Sequence, residues 1–234
     1  MIEQNTLRPN QPISVKLLDL ATRILPSAFF LYVVLLKLVE LNAFFSRSRQ
    51  QQNDPASWKF LVESVSRSST VCFLALMTVL FLFRLEPVEK AKRIGPRVMA
   101  IVGTFSLALI TLFPRANLSM TQSIVASSIS SVGTAMSIIA LAYLGRSFSL
   151  MAEARRLVTT GPYRIVRHPL YLFEEVAALG ILLQFFSFST ALIFLAHILI
   201  QLQRMRNEET VLEKAFPEYQ AYRARTAKVI PKFY

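Results

Sequence analysis

A stripe of polar residues near the C-terminal end of the chain has the types and spacing needed to bind a charged ligand. The stripe comprises His197, Gln201, Arg204 and Glu208. Spacings of four, three and four positions place these residues on one face of a helix, and Glu209 follows at once. The planar guanidinium of Arg204 could hold a carboxylate in one orientation. The structural alternative is that His197 hydrogen-bonds a neighbouring helix and that Arg204–Glu208 is a surface ion pair contributing about 0.3–0.5 kcal/mol.

A second candidate segment, LVTTGPYRIVRHPLY, occupies residues 157–171. Gly161-Pro162 marks a turn, and Pro169 stands where proline is favoured near the start of a helix. The arginines of the segment, His168 and two tyrosines would then crowd the entrance to a membrane. The same composition is also typical of an interfacial belt, in which aromatic rings lie at headgroup level and arginines meet lipid phosphates.

The elements that must position these residues are membrane helices. Hydrophobic residues make up 53% of the 234, and mean hydropathy is +0.45, yet the net charge is +12. Apolar segments in lipid with basic loops at its surface explain both values. Because the positive charge is confined to the gaps between apolar runs, the pattern argues against nucleic-acid binding. Six segments approach the roughly 17–25 residues of a spanning helix: 25–45, 69–83, 98–113, 123–144, 170–186 and 190–203. We therefore predict an all-α, multi-pass transmembrane bundle of about six helices.

Small residues and short loops indicate how the predicted spans pack. The fourth span is rich in Ser, Ala and Gly, which favours close helix packing. Three residues, 187–189, separate the last two spans, which predicts a tight C-terminal helical hairpin followed by a cytoplasmic extension.

The distribution of basic residues predicts the orientation. If the N-terminus is inside, the inside segments hold twenty lysines and arginines and the outside loops hold five, so both termini are expected in the cytoplasm. The inside segments are 1–24, 84–97, 145–169 and 204–234, and the outside loops are 46–68 and 114–122. Segment 46–68 could instead lie along the interface, anchored by Trp58 and Phe60.

Several common sites are disfavoured by the sequence. It contains no dinucleotide fingerprint, Walker loop, zincin motif or nucleophile elbow. Cys72 is the only cysteine, and His168 and His197 are the only histidines, so we predict neither a disulfide framework nor a metal site. The first 24 residues are unlike a cleavable signal peptide, and the first apolar stretch is therefore expected to remain as a helix.

The two candidate segments, in this order and flanking one helical hairpin, resemble the isoprenylcysteine carboxyl methyltransferase family and its phospholipid methyltransferase relatives. The matching residues are 157–171 and RMRNEETVLEKAFPEYQAYRARTAKVIP at 204–231. The resemblance covers about the last 90 residues. It implies a cofactor-binding methyltransferase core at 146–234, with two spans and a cytoplasmic tail, behind four N-terminal spans at 1–145.

The resemblance also implies roles for individual residues. Glu208 would bind the polar groups of S-adenosylmethionine, with Glu209 as its neighbouring carboxylate. Arg204 would be the catalytic residue that orients the substrate carboxylate. The rest of the cofactor pocket would be lined by Leu157, Val158, Tyr163, His168, Pro169, Leu170 and Tyr171.

The chain departs from the family pattern just after this pocket. A glycine is common two residues after the second tyrosine, where this chain has Phe173, followed by Glu174 and Glu175. The cofactor entrance and the substrate tunnel could therefore differ in shape from those of the family.

The expected function is an S-adenosylmethionine-dependent methyltransferase embedded in the lipid bilayer of a bacterial inner membrane or the endoplasmic reticulum. A lipophilic, isoprenylcysteine-like or prenylated substrate is expected, and Arg204 favours a carboxylate acceptor. An amine acceptor, as in a phospholipid N-methyltransferase, would need a base such as His168, Glu174 or Glu175.

Two further alternatives remain open. An NADPH-dependent membrane reductase of the sterol reductase type would share the late R-H motif and the I-P-x-x-Y ending at 230–234. A non-catalytic protein that binds a lipid or scaffolds partners would bind no cofactor, and substitution of Glu208 would then have no effect.

Overall fold

The computed structural model describes residues 13–50 and 58–231, and these form a bundle of α-helices. The α-helices are α1 Ile13–Gln50, α2 Trp58–Leu82, α3 Ile94–Phe105, α4 Met120–Leu144, α5 Pro169–Gln184, α6 Phe188–Ala215 and α7 Tyr219–Arg225. A 3-10 segment, Ser106–Leu112, continues α3. The two short strands β1 Glu89–Lys90 and β2 Glu153–Ala154 pair antiparallel. The predicted all-α class is confirmed.

Five of the described helices are long and apolar enough to cross a membrane. They cover Thr22–Arg49, Trp58–Leu82, Ile94–Leu112, Met120–Ser147 and Phe188–Ala215. The expected fifth span is the 16-residue helix α5, about 24 Å long at 1.5 Å per residue and shorter than a hydrocarbon core of about 30 Å. The multi-pass architecture is confirmed, with α5 as a shorter helix joined to α6 by a three-residue turn.

Some expectations fall on parts of the chain outside the described residues. These parts are 1–12, 51–57 and 232–234, which hold much of the N-terminal segment and the end of the I-P-x-x-Y motif. Segment 46–68, which is predicted as an outside loop with an interfacial position as the alternative, contributes its first residues to α1 and its last residues to α2. Trp58 and Phe60 begin α2, and Phe60 stacks on Phe44 of α1 with ring centroids 5.5 Å apart.

Helices α4 and α5 pack at backbone contact, as the small residues of the fourth span predict. Gly180 faces α4 so closely that a Cβ there would lie 2.5 Å from Ser130 N. Gly133 faces α5 in the same way, and a Cβ there would lie 2.7 Å from Ala177 Cα. Both distances are below van der Waals contact, so the two glycines are required for this approach.

An aromatic cluster joins α1, α2 and the segment after α4. Phe30 stacks on Phe81 at 5.4 Å, and Phe148 meets Phe81 edge-on at 5.2 Å. All three rings are buried. This apolar contact places the start of segment 145–168 against the N-terminal helices.

Arg155 fastens segment 145–168 to the α2–α3 connection. Its guanidinium donates hydrogen bonds to the backbone oxygen of Leu85 and to the carboxylate of Glu153. Burial lowers the pKa of Arg155, and the negative charge of Glu153 opposes that effect. Together with the β1–β2 pairing, this contact closes one end of the helical bundle.

Candidate functional site

A cavity of about 390 Å³ lies between α5 and α6 and extends towards α1, α2, α3 and α4. This volume falls within the range of about 300–1,000 Å³ that is typical of small-molecule sites. One end of the cavity is polar and lies beneath segment 145–168. The other end is apolar and lies among the membrane helices, with Phe30, Phe73, Leu74, Met77 and Leu107 in its wall.

The local sequence explains how the polar end is shaped. Gly161 has a φ of +60°, and a Cβ there would lie 2.6 Å from Tyr143 Cζ, so the turn fits against α4 only with glycine. Pro162 and Tyr163 continue this turn as a short 3-10 segment. Pro169 then begins α5, as its position in the sequence predicts.

The structure brings most of the predicted site residues to one place. Eight of the ten face the cavity: Leu157, Val158, Tyr163, His168, Leu170, Tyr171, Arg204 and Glu208. Pro169 is fully buried in the first turn of α5 and does not line the cavity. Glu209 also lies outside the lining and is held on another side of α6.

Glu209 lies next to the polar end of the cavity, where its carboxylate contacts three basic side chains. Its Oε1 accepts a hydrogen bond from Arg167 Nε at 2.9 Å and lies 3.0 Å from His168 Nε2. Lys228 Nζ is 4.0 Å from its other oxygen. Arg167 also donates to the backbone oxygens of Arg223 and Thr226. The carboxylate therefore orients His168 and attaches the C-terminal segment to the start of α5.

The backbone strengthens the same attachment. Val166 and Ala227 form a parallel bridge. The amide of Arg167 donates to the oxygen of Ala227, and the amide of His168 donates to that of Lys228. The two predicted candidate segments are thus directly hydrogen-bonded to each other.

Glu208 faces the cavity and meets Tyr171. The Tyr171 hydroxyl donates a hydrogen bond to Glu208 Oε1, and His168 Nδ1 lies 4.0 Å from Glu208 Oε2. The Glu208 carboxyl group therefore forms an acidic part of the cavity wall. Such a wall suits a cationic or hydroxyl-bearing ligand.

Arg204 lies one turn of α6 further into the membrane. Its side chain is buried, donates to Gln201 Oε1 at 2.7 Å and to the backbone oxygen of Leu150 at 3.2 Å, and lies over the Tyr171 ring at 5.2 Å. Its Nε is buried without a hydrogen-bond partner. The surface ion pair considered above is therefore not formed, and the cation is available to a ligand in the cavity.

Gly103 of α3 makes room for that arginine. A Cβ at this position would lie 2.7 Å from Arg204 Cδ and 3.1 Å from Gln201 Oε1. The first half of the chain therefore contributes to the placement of Arg204, although the resemblance described above covers only about the last 90 residues.

Two tyrosines complete the polar wall. The Tyr222 hydroxyl donates to the backbone oxygen of Tyr163 at 2.6 Å, and burial raises the pKa of Tyr222 to about 12. Burial also raises the pKa of Tyr163, whose own hydroxyl is buried without a partner and lines the cavity. Both phenols therefore remain neutral donors at physiological pH.

His197 forms a polar contact within the membrane region. Its Nδ1 lies 2.7 Å from Ser106 Oγ, and its Nε2 lies 3.0 Å from Glu175 Oε1. Both partners are on other helices, as the structural alternative for His197 requires. The residue also lines the cavity, so all four members of the predicted polar stripe reach the same space.

Sequence reasoning gave no individual role to several residues of the site. Arg155, Arg167, Gln201 and Tyr222 line or support the cavity. Tyr222 belongs to the F-P-E-Y-x-x-Y motif of the C-terminal tail, and its spacing of three from Tyr219 could have indicated a shared helical face. Arg167 adjoins His168, but its pairing with Glu209 spans 42 positions and has no local signal.

Comparison with known proteins identifies the region that carries this site. Residues 126–214 match the family model of the Isoprenylcysteine carboxyl methyltransferase (ICMT) family. This region covers most of α4, segment 145–168, α5 and nearly all of α6. The match confirms the resemblance inferred from the sequence and supports a membrane methyltransferase.

Two curated relatives match over part of their length. The cobalt-zinc-cadmium resistance protein CzcN of Cupriavidus metallidurans is 36% identical over 99 residues, which are 40% of this chain and 46% of the relative. The nickel-cobalt-cadmium resistance protein NccN of Alcaligenes xylosoxydans xylosoxydans is 35% identical over 82 residues, which are 34% of this chain and 38% of the relative. The aligned part is thus less than half of each curated relative.

Proposed function

Because residues 126–214 match the isoprenylcysteine carboxyl methyltransferase family, we propose that this protein is an integral-membrane, S-adenosylmethionine-dependent methyltransferase. Its acceptor is the carboxylate of a lipophilic, isoprenylcysteine-like molecule. Glu208 binds the cofactor and Arg204 orients the acceptor carboxylate.

The cavity is the observation that carries this proposal. It is polar where His168, Tyr171 and Glu208 meet, and apolar where it enters the membrane helices. Arg204 lies between these two ends. A water-soluble cofactor and a lipid-like acceptor can therefore approach from opposite ends and meet beside a buried cation.

The residues of the polar end fit S-adenosylmethionine. Glu208 offers a carboxylate to the cationic or hydroxyl groups of the cofactor. Leu157 and Val158 supply an apolar surface for its adenine ring, and Tyr171 supplies an aromatic one. The unpartnered hydroxyl of Tyr163 supplies a further donor. When bound, the cofactor provides a methyl group on a positively charged sulfur.

Methylation of a carboxylate requires no proton transfer by the protein. The acceptor carboxylate is ionised at neutral pH, so no general base is needed: a bond from its oxygen to the methyl carbon would form as the methyl–sulfur bond of the cofactor breaks, and neutral S-adenosylhomocysteine would leave. Arg204 holds this oxygen in line, and alignment of this kind is worth several kcal/mol. The buried walls exclude water, which strengthens the contact between Arg204 and the carboxylate.

Calorimetric titration tests the cofactor. S-Adenosylhomocysteine is titrated into the detergent-purified protein and into Glu208→Ala. A matched control is Glu213→Ala, because Glu213 lies on the same helix but is exposed and pairs only weakly with Arg223 at 3.7 Å. Binding by the wild type and Glu213→Ala, with loss in Glu208→Ala, supports the site. Absence of binding to folded wild-type protein refutes the proposal, and NADPH is then titrated instead.

A product assay tests the acceptor group. The protein is incubated with methyl-labelled S-adenosylmethionine and S-farnesylcysteine, and the product is treated with base. A methyl ester releases labelled methanol, whereas an N-methyl amine keeps its label. Label that survives base would refute carboxyl methylation and favour the N-methyltransferase alternative.

We also propose that the polar end of the cavity and both termini face the cytoplasm. The excess of basic residues in the corresponding loops supports this orientation. Reporter fusions at the C-terminus and in the 114–119 loop test it, because only the C-terminal fusion should report a cytoplasmic position.

A further inference from the structure

Glu174 differs from the other carboxylates around the cavity because it forms no hydrogen bond or ion pair with any residue that the structure describes. Glu209 binds Arg167 and His168, Glu208 accepts a hydrogen bond from Tyr171, and Glu175 lies 3.0 Å from His197. Glu174 lines the cavity, yet no hydrogen bond or salt bridge to it occurs among the described residues. An ionisable group in a membrane region is costly and usually has a partner. The missing partner of Glu174 therefore points to a ligand.

Glu174 and Arg204 border the same part of the cavity. Glu174 follows Tyr171 by three positions on α5, so both side chains lie on one helical face, and Arg204 lies over the Tyr171 ring. Nevertheless, the two groups are not within 4.0 Å of each other among the described ion pairs. A carboxyl group and a guanidinium therefore border a common space without forming an ion pair.

The depth of this pair separates it from the cofactor end. At about 1.5 Å per residue, Glu174 lies about 4.5 Å from Tyr171 towards the C-terminal end of α5, and Arg204 lies about 6 Å from Glu208 towards the N-terminal end of α6. Because α5 and α6 are antiparallel and joined by a short turn, both displacements run towards that turn. This direction leads into the membrane. Glu174 and Arg204 are therefore on the acceptor side of the Tyr171–Glu208 contact.

A ligand complementary to this pair carries a carboxylate and an ammonium group close together. We propose that the acceptor has a zwitterionic α-amino-acid head group on an apolar tail, with its carboxylate at Arg204 and its free ammonium at Glu174. This inference rests on the proposed function and specifies its substrate class. Glu174 acts as a specificity residue: it binds a part of the acceptor that does not react.

A pair of acceptors that differ only in the amine tests this inference. S-Farnesylcysteine has the ammonium group, whereas S-farnesyl-3-mercaptopropionic acid lacks it and keeps the carboxylate and the tail. We expect the wild type to prefer S-farnesylcysteine by about tenfold to hundredfold in kcat/KM, the value of one hydrogen bond between charged groups. N-Acetyl-S-farnesylcysteine, which has a neutral amide, should behave like the amine-free acceptor.

Substitution of Glu174 locates the source of the preference. Glu174→Gln should abolish the preference, measured as the ratio of kcat/KM for S-farnesylcysteine to kcat/KM for the amine-free acceptor, and Glu174→Asp should retain part of it. Glu175→Gln is the matched control: it removes a neighbouring carboxylate that faces His197 rather than the cavity, and the preference should persist.

The outcomes separate this inference from the proposed function. If the wild type methylates both acceptors equally well, the inference is wrong even without any variant. If Glu174→Gln weakens binding of S-adenosylhomocysteine and leaves the preference intact, Glu174 binds the cofactor and the inference is also wrong. Absence of cofactor binding by the wild type would instead defeat the proposed function itself.

Discussion

Replacement of Gly103 by alanine is expected to displace Arg204 without unfolding the protein. The added Cβ would lie 2.7 Å from Arg204 Cδ, about 1 Å short of the 3.5–4.0 Å at which carbon atoms make contact. The nearest atoms belong to side chains of α6, so Arg204 can move aside. Alanine also favours the helical state over glycine by about 1 kcal/mol, which offsets part of the steric cost.

The expected magnitude follows from that displacement. A shift of about 1 Å in a positioning group can reduce the rate of an aligned reaction by about a hundredfold. We therefore expect Gly103→Ala to lower kcat/KM for S-farnesylcysteine by up to about a hundredfold. Binding of S-adenosylhomocysteine should be unchanged, because Glu208 lies more than one helical turn away on α6.

A steady-state methylation assay and a calorimetric titration measure the two effects on the same preparation. Gly95→Ala is the matched control, since Gly95 is on the same helix and a Cβ added there would meet no other atom within 4 Å. If Gly103→Ala retains wild-type kcat/KM, or if Gly95→Ala loses as much activity, the contact with Gly103 does not position Arg204 and this reasoning is wrong.

Three further substitutions test the helix packing, the ion pair and the tyrosine hydrogen bond that surround the cavity. Gly180→Ala should destabilise the protein by about 1–3 kcal/mol or more, because its Cβ would meet the backbone of α4; unchanged thermal melting in detergent would contradict this packing. Glu209→Ala should cost about 1–3 kcal/mol and weaken cofactor binding, because it leaves the half-buried Arg167 and the buried His168 without their carboxylate; a melting curve and a titration that match the wild type would show that these contacts are dispensable. Tyr222→Phe should cost about 1 kcal/mol by removing the hydrogen bond to Tyr163. Since burial raises the pKa of Tyr222 from 10 to about 12, stability from this group should be complete below pH 10 and lost between about pH 10 and 12, which melting of wild type and Tyr222→Phe across that range would reveal.

The polar stripe was predictable because its pattern is local. Residues spaced by three or four positions share a helix face whatever the rest of the fold does. Accordingly, His197, Gln201, Arg204 and Glu208 all reach the cavity. The turn at Gly161 was predictable for the same reason, because backbone conformations with positive φ favour glycine.

The separate roles of Glu208 and Glu209 were not predictable from the sequence. Adjacent residues on a helix point about 100° apart, so one can face a cavity while the other faces a different wall. Which of them faces inward depends on the rotation of α6 against its neighbours. Here, Glu209 turns away because Arg167 and His168 hold it, and those residues lie 42 and 41 positions earlier in the chain.

The part of the cavity wall that α1, α2 and α3 form was not predictable from the sequence for a different reason. Residues that face lipid and residues that line an apolar tunnel are of the same types, so hydropathy cannot distinguish them. Gly95 and Gly103 are both glycines of α3, yet only Gly103 lies against Arg204. Phe30 and Phe73, which line the apolar end, also lie outside the region 126–214 that matches the family. The family match therefore covers most of the polar end of the cavity, whereas the apolar end is formed in part by helices that lie outside the match.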